Sequence, residues 1–327
     1  MVTQMMVSRS AKPVVLYLTR ELYVTFFLLI GVSLVVFAVL YSAPGDPLAA
    51  VFGGQVLSDA QREEMMRNLG ISNTWYGQYW SWLVKLFNGD FGTSLRSGQP
   101  VLGEVTKLAK NTFYLTFGAM FFSLMIALPI AIYLAKRGTD RLGWVLMMFA
   151  YTTSAVPLFW SAYIVIYIYT RFFNTLPIGL ATGESMNFTQ MMLPVFMLGL
   201  GSGIISETVR FLRDEISRVF SEDYVRTARA KGVSVWKHAL TEALIIPVSE
   251  MIASKIPFVI GGAIIVEQIF NWPGIGRMAW QAAQDRDYPV IMCITLVTAL
   301  IVRLTSLLQK TLYVIVNPRA SQETKTS

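Results

Sequence analysis

Six long apolar stretches are the feature of this sequence that most restricts its fold. They occupy Leu22–Tyr41, Tyr114–Ala135, Trp144–Tyr169, Met191–Ser206, Ile256–Phe270 and Val290–Leu308. A membrane span needs about 20 apolar residues, and lipid offers no water to the backbone, so each stretch is predicted to be helical. With 54% hydrophobic and 14% charged residues, the chain has too little charge to cover a soluble protein of 327 residues. The sequence therefore predicts an all-α membrane protein with about six transmembrane helices.

The fourth and fifth stretches are short for a full crossing, and both contain glycine. Gly199, Gly201 and Gly203 lie in one, and Gly261 and Gly262 in the other. Small residues allow close helix contacts, so we expect these two helices in the interior of the bundle. The first stretch follows basic residues, as the apolar part of a signal peptide would. It is longer than the ~7–15 apolar residues of such a signal, so we expect an uncleaved span.

The basic residues orient the predicted helices. With the N-terminus inside, the four cytoplasmic segments (1–21, 136–143, 210–255 and 303–327) hold 18 of the 27 lysines and arginines. Because positive charge is enriched on the cytoplasmic side, both termini are predicted to be cytoplasmic. The predicted organisation is a cytoplasmic N-terminus (1–21), helix 1 (22–41), an extracytoplasmic subdomain (42–113), a transmembrane core (114–308) that includes the cytoplasmic loop 210–255, and a cytoplasmic tail (309–327).

The outer segment 42–113 is too long to be a simple connector. Within it Trp75, Tyr79, Trp82 and Leu86 recur at helical spacing. One interpretation is an interfacial helix with its aromatic rings at headgroup depth. The other is a small outer subdomain that covers the mouth of a pathway and meets a soluble partner. The two interpretations are compatible.

Motifs for catalysis, nucleotide binding and metal binding are missing. No Gly-Lys dipeptide occurs, which excludes a P-loop, and a single histidine (His238) and a single cysteine (Cys293) are too few for a zinc site. We therefore expect neither an enzymatic role nor a cofactor. Glu207, Glu267 and Arg303 lie near the ends of predicted spans, where a structural role is favoured. As an alternative, Glu267 lines an outer gate or holds the following loop by a hydrogen bond.

The cytoplasmic segment 210–255 is the most informative part of the chain. Ser221–Lys231 is rich in helix-forming residues, Gly232 follows as a stop signal, and a second helical stretch leads to Pro247. A short helix, a glycine turn and a returning helix between two spans form a projection suited to docking in the groove of a soluble partner. The alternative is a basic surface loop near anionic lipid.

These residues carry a family resemblance. Tyr224–Gly232 resembles the EAA-type loop of ABC-importer permeases, in the variant typical of the oligopeptide, dipeptide and nickel family. Matching segments run along nearly the whole chain: Pro44–Pro47, Gly89–Ser94 with Gly98–Val101, Val156–Trp160, Gly261–Glu267, Phe270–Arg277, Arg286–Val290 and Asn317–Arg319. Arg226 and Thr227 replace the Glu-Ala of the general motif, and the stretch from Gly232 to Pro247 is shorter than is typical.

The resemblance implies a type I importer in a bacterial inner membrane. It implies a second homologous permease, two cytoplasmic ABC ATPase subunits that bind ATP and magnesium, an extracytoplasmic solute-binding protein, and no nucleic acid. It assigns ATPase coupling to Tyr224, Arg226, Thr227, Ala228, Arg229, Ala230, Lys231 and Gly232. The candidate gate or pathway residues are Glu267, Trp272, Pro273, Gly274 and Pro157.

Short peptides are the leading substrate that the resemblance implies, and nickel, metal chelates and oligosaccharides are alternatives within the family. Three rivals come from other classes. The first is a membrane-embedded enzyme that acts through Glu207 or Glu267, and the second is a receptor or assembly factor without transport. The third is a stand-alone channel or secondary transporter, which would more naturally carry ionisable residues at the middle of its spans, where they are scarce here.

Overall fold

The computed structural model describes residues 11–42, 74–138, 140–176, 188–201, 203–234 and 244–316. In these ranges the chain is helical apart from turns and one isolated antiparallel bridge between Thr93 and Pro100. The helices are α1 (Ala11–Ser42), α2 (Trp75–Phe87), α3 (Val101–Arg137), α4 (Arg141–Ala155), α5 (Leu158–Phe173), α6 (Phe188–Gly201), α7 (Ile204–Ser221), α8 (Asp223–Ala230), α9 (Ile246–Ile269), α10 (Ile275–Asp285) and α11 (Tyr288–Val316). They belong to two compact units, residues 1–106 with 281–307 and residues 107–280 with 308–327.

Four of the described helices, α1, α3, α9 and α11, are long and apolar enough to cross a membrane. Two bent pairs, α4 with α5 and α6 with α7, also qualify if each pair is counted as one span, which brings the number to six at most. The predicted all-α membrane protein with about six spans is therefore confirmed. The helices extend beyond the apolar stretches, because hydropathy detects only the part of a helix that is apolar.

The third apolar stretch is broken near its middle. α4 ends at Ala155 and α5 begins at Leu158, and the two helices meet at a bend of 98°. Val156 is extended (φ −94°, ψ 126°), because the ring of a following proline, here Pro157, disfavours the helical conformation. The prediction of one continuous helix over Trp144–Tyr169 is therefore wrong.

The fourth stretch bends as well, by 54°, where Gly203 adopts φ +69° before α7. Close packing around the preceding glycines agrees with the expected interior position: a Cβ at Gly199 would lie 2.9 Å from the carbonyl oxygen of Ala119. In α9 the expected close packing occurs at only one of the two glycines. Gly262 packs near Leu198, whereas Gly261 has nothing within 4 Å of its Cβ position.

The core of the second unit is apolar and joins helices that are distant in sequence. Leu115 of α3, Leu198 of α6, and Val259, Ala263 and Phe270 at α9 and its end are fully or almost fully buried in one cluster. Burial of each large side chain contributes about 1.5–3 kcal/mol. This cluster fixes α3 and α9, which carry the polar residues of the site described below.

In the first unit α2 packs on α1, which confirms a helix over the aromatic residues Trp75–Leu86. The hydroxyls of Tyr79 and Ser33 lie 2.9 Å apart, and the rings of Tyr79 and Phe37 are in contact. On α11, Arg303 forms a mostly buried ion pair with Glu21 of α1. Arg303 is therefore held by a carboxylate of its own chain.

Several predicted features fall outside the described residues. These are the segment around Pro44–Pro47, most of the returning stretch between Gly232 and Pro247 with His238, and the Asn317–Arg319 motif. α3 begins at Val101, inside the segment 42–113 that is predicted to be the outer subdomain. The division of the chain into the predicted domains stays a prediction.

Candidate functional site

The short helix α8 is built to present one face outwards. It follows α7 without a loop, because Glu222 closes α7 and its carbonyl oxygen accepts hydrogen bonds from Val225 N (3.1 Å) and Arg226 N (3.2 Å). Val225 and Ala228, three residues apart, are buried, whereas the remaining side chains of α8 are exposed. Three-residue spacing puts both apolar residues on one face. The predicted helix over Ser221–Lys231 is thus confirmed.

Gly232 ends this helix by a Schellman motif. Its φ is +68°, its N–H donates to Arg229 O (3.1 Å), and Val233 N donates to Ala228 O (3.0 Å). No atom of the described residues lies within 4 Å of a Cβ placed on Gly232, so its positive φ is the feature that calls for glycine here. The predicted stop signal is confirmed.

The buried face of α8 seats on a second apolar cluster. Val225 packs with Leu212, Ile216 and Val219 of α7, and this cluster reaches α3 at Ala131. It also receives partly buried side chains from Leu244 and Val248, at the start of α9. Helix α8 is therefore firmly attached to α3, α7 and α9.

The residues predicted for coupling divide between the two faces of α8. The exposed ones are Tyr224, Arg226, Thr227, Arg229, Ala230, Lys231 and Gly232. Ala228 is only 5% exposed and faces its own chain, so its side chain packs α8 and is not available to a partner. The exposed face carries three cations, of which Arg226 contacts Asp223 at 3.4 Å.

A second polar cluster surrounds Glu267 near the C-terminal end of α9. This side chain is fully buried, and its Oε1 accepts a hydrogen bond from Thr112 Oγ1 (2.6 Å) while Oε2 accepts one from Arg277 N (2.8 Å). Thr112 Oγ1 in turn accepts from Ile275 N (2.9 Å). Glu267 and Thr112 together satisfy backbone donors at the N-terminus of α10, where an acidic group is favourable.

The loop between α9 and α10 is fixed by further contacts to α3. Trp272 Nε1 donates to Asn111 O (3.2 Å), and Asn111 Nδ2 donates to Pro273 O (2.7 Å). A Cβ on Gly274 would overlap the carboxyl group of Glu267, so only glycine fits there. The structure thus brings together Glu267, Trp272, Pro273 and Gly274.

Two alternatives for Glu267 follow from the sequence, lining an outer gate or holding the following loop, and these contacts bear on both. The carboxyl group holds the following loop, as one alternative stated. Glu267 and Trp272 are buried within their own chain, so solute contact with either side chain requires movement of the loop. Pro157 does not belong to this cluster but lies exposed at the break between α4 and α5. Their role in a gate stays a prediction.

Two motifs that are far apart in the sequence, Gly89–Ser94 and Arg286–Val290, contact each other in the first unit. Ser94 Oγ donates to Asp287 Oδ2 (2.5 Å), and Arg96 forms an exposed ion pair with Asp285. Pro289 lies 3.5 Å from the Cβ position of Gly92. The Gly89–Ser94 and Arg286–Val290 motifs are therefore in direct contact.

Thr112, Asn111 and the Glu207–Lys255 ion pair between α7 and α9 were not anticipated from the sequence. Thr112 lay within the predicted outer segment, because the first turns of α3 contain Glu104, Lys107 and Lys110 and were not recognised as part of an apolar span. No periodicity relates Thr112 to Glu267. Their pairing depends on tertiary packing alone.

Comparison with known proteins covers nearly the whole chain. The family model described as "Binding-protein-dependent transport system inner membrane component" matches residues 127–322, and the model of its N-terminal part matches residues 14–127. The chain is 33% identical over 314 residues to the oligopeptide transport system permease protein AppB of Bacillus subtilis, which covers 93% of this chain and 98% of AppB. It is 36% identical over 298 residues to the glutathione transport system permease protein GsiC of Salmonella typhimurium, covering 89% of this chain and 94% of GsiC.

Proposed function

This chain belongs to the family of inner-membrane components of binding-protein-dependent transport systems, and on that premise we propose that it is the permease subunit of an ABC importer for short peptides. The named relatives support the substrate class, since AppB serves oligopeptide transport and GsiC the transport of the tripeptide glutathione. Nickel, metal chelates and oligosaccharides remain the alternative substrates. The chain is an inner-membrane transport protein that works with other components of its system.

One observation carries the mechanistic part of the proposal: α8 is anchored by Val225 and Ala228, and its other face is exposed in the described part of the chain. The proposed partner of that face is a cytoplasmic ABC ATPase. Arg226, Arg229 and Lys231 give it a positive charge that suits an acidic groove. ATP binding in the partners would move α8, and α7 and α9 would move with it through the shared apolar cluster.

The proposed complex contains a second homologous permease, two ATPase subunits and an extracytoplasmic solute-binding protein. The ATPases bind ATP and magnesium, and this chain carries no cofactor and performs no catalysis. Both termini and α8 are placed in the cytoplasm. Glu267 and the Trp272–Gly274 loop are placed at the outer end of the pathway, where Glu267 acts by holding the loop closed over α10.

The proposal is tested by ATP-driven uptake of alanyl-alanine into proteoliposomes that contain the complete importer. Charge reversal at Arg229 (Arg229→Glu) is expected to abolish uptake and the stimulation of ATPase activity, because it alters the exposed face of α8. The matched control is Arg141→Glu, which reverses an exposed arginine at the start of α4. Normal uptake by Arg229→Glu would refute the coupling role of α8.

The position of α8 is tested by labelling. The only native cysteine, Cys293, is buried, so the variant Cys293→Ser gives a simple background. In that background Thr227→Cys is expected to react with a membrane-impermeant maleimide in inverted vesicles and not in whole cells. Reaction in whole cells would contradict the orientation. Uptake by the chain without any partner would favour a stand-alone channel or secondary transporter.

A further inference from the structure

A cavity of about 620 Å³ lies between α7 and α9. Its volume falls within the ~300–1,000 Å³ typical of small-molecule sites. Its lining contains charged side chains of both signs together with the apolar side chains of Phe211 and Met251. All of these residues belong to the second compact unit, and Glu207 is the one among them that was singled out from the sequence.

Six charged residues line this cavity: Glu207, Arg210, Asp214, Glu215, Glu250 and Lys255. Asp214 and Glu215 form ion pairs with Arg213 and Arg218 of α7. Glu207 of α7 and Lys255 of α9 already form an ion pair with each other. Arg210 of α7 and Glu250 of α9 also line the cavity. Among the residues that the structure describes, neither of these two forms a hydrogen bond or an ion pair. One cation and one anion therefore remain available on facing helices.

The register of the two helices places this available pair at about the same level. Thr208 Oγ1 donates to Met251 Sδ (3.3 Å), and Glu207 pairs with Lys255, so α7 and α9 run antiparallel here. Arg210 lies two residues after Thr208, and Glu250 one residue before Met251. At ~1.5 Å per residue, their backbones differ in height by only a few ångströms. Helix axes in contact are ~8–10 Å apart.

The cavity has room for a molecule that carries a charge at each end, because two extended residues span about 7 Å and the cavity volume is about 620 Å³. A carboxylate binds a guanidinium through two parallel hydrogen bonds, and an ammonium group binds a carboxylate. Arg210 is exposed and Glu250 is half-buried. A zwitterion would pair with both side chains at once, which neither a simple anion nor a simple cation does.

We propose that the cavity between α7 and α9 is a transit site for zwitterionic solutes, in which Arg210 binds the carboxylate end of a short peptide and Glu250 binds its ammonium end. The proposal rests on the proposed function, because it assigns a subsite to the peptide that the importer carries. It adds a chemical requirement for two free ends. The Glu207–Lys255 pair closes one side of the site, and Met251 and Phe211 contact the uncharged part of the solute.

The test measures equilibrium binding to the purified complete importer in nanodiscs, without its solute-binding protein, so that this chain and not the binding protein selects the ligand. The probes are radiolabelled alanyl-alanine, its N-acetyl derivative and its C-terminal amide. For the unmodified importer, blocking either end is expected to weaken binding about tenfold. In Glu250→Gln the acetyl group is expected to have no further effect, and in Arg210→Met the amide is expected to have none.

The matched controls are Glu104→Gln and Arg141→Met, which remove one charge of each sign outside the cavity and are expected to keep both tenfold effects. Arg210→Lys keeps the charge but loses the paired hydrogen bonds, so an intermediate effect of the amide is expected. Co-purification of the partner subunits confirms that each variant assembles. The proposal is overturned if the assembled variants keep the full effect of both blocking groups, or if the unmodified importer does not distinguish blocked from free ends.

Failure of this proposal differs from failure of the proposed function. If ATP-driven uptake of alanyl-alanine occurs but the binding effects above are absent, the importer assignment stands and the subsite is wrong. If the unmodified complex shows no ATP-driven uptake of any short peptide, the proposed substrate class is wrong, and the subsite proposal fails with it.

Discussion

Replacing Glu267 by glutamine and by alanine separates the hydrogen-bonding pattern of this carboxyl group from its volume. In the native chain both carboxyl oxygens accept, one from the hydroxyl of Thr112 and the other from Arg277 N. Glutamine retains the shape but has one acceptor oxygen and one NH₂ donor. If the oxygen faces Arg277 N, the NH₂ group meets Thr112 Oγ1, which already accepts from Ile275 N.

The magnitude of each effect follows from these contacts. Each buried polar group left without a partner costs about 1–3 kcal/mol. Glutamine disturbs one of the two contacts, so we expect a local destabilisation of about 1–2 kcal/mol. Alanine removes both acceptors and leaves a cavity at a fully buried site, so we expect about 3–5 kcal/mol. The local stability is therefore predicted to be highest in the wild type, lower in the glutamine variant and lowest in the alanine variant.

The assay is hydrogen–deuterium exchange at Arg277 in the complete importer in nanodiscs. This amide donates to Glu267, so its protection reports the local opening of the loop between α9 and α10. Exchange should accelerate about tenfold for each 1.4 kcal/mol lost, which gives roughly tenfold in Glu267→Gln and at least a hundredfold in Glu267→Ala. The neighbouring Gln268 is exposed, so Gln268→Ala is the control without an expected effect. Unchanged exchange at Arg277 in Glu267→Ala would refute the role of this side chain.

Three further predictions concern other positions. Gly232→Ala places an alanine at φ +68°, which costs about 1 kcal/mol. Amide exchange at the end of α8 should therefore rise about fivefold, and ATP-coupled uptake should fall. Unchanged exchange and uptake would contradict the need for glycine at this backbone conformation. Arg303→Met removes the cation that pairs with the mostly buried Glu21 and should lower the thermal unfolding temperature. The double variant with Glu21→Gln should recover most of the loss, and an equal loss in both variants would contradict this. Gly143 N donates a hydrogen bond to the Asp140 carboxylate, and this bond lowers the pKa of Asp140. The stability that the bond gives to the start of α4 is therefore present above the ordinary aspartate pKa and is lost as the pH falls through the lowered pKa. Exchange at Gly143, corrected for its intrinsic pH dependence, should show that loss in the native chain and not in Asp140→Ala.

The sequence allowed the helices to be predicted where a local cause determines them. Apolar length located the spans, and Gly232 located the end of α8, because a stop signal at a helix terminus is a property of neighbouring residues. The bend at Val156–Pro157 also has a local cause. It was missed because hydropathy alone was read across Trp144–Tyr169, although a proline that follows a helical run disfavours continuation.

The partners of the buried polar groups could not be predicted in the same way. Thr112 and Glu267 are 155 residues apart, and each occurs in an ordinary helical context. The same holds for Arg210 and Glu250, which face one cavity only because α7 and α9 pack antiparallel. A single sequence contains no periodicity that relates positions on different helices, so such pairs become visible only after the helices are packed.

Helix α9 connects the two candidate regions of the second unit. Its first turn, with Val248, packs in the cluster that seats Val225 of α8, and its last turn carries Glu267. The 19 residues from Val248 to Glu267 span about 28 Å at ~1.5 Å per residue. Pro257 lies within this helix and removes one of its internal hydrogen bonds, so it is the position at which α9 can bend most easily.

This geometry limits how a movement of α8 can reach the loop between α9 and α10. No loop residue separates α7 from α8, since Glu222 closes both, and the cluster beneath Val225 is fully buried, so the joint cannot absorb a displacement without loss of packing. The start of α9 must therefore move with α8. The part of α9 beyond Pro257 moves by the same amount only if the helix does not bend further at Pro257. Exchange at Arg277 distinguishes these cases: it should change on ATP binding if α9 moves as one rod, and stay constant if Pro257 acts as a hinge.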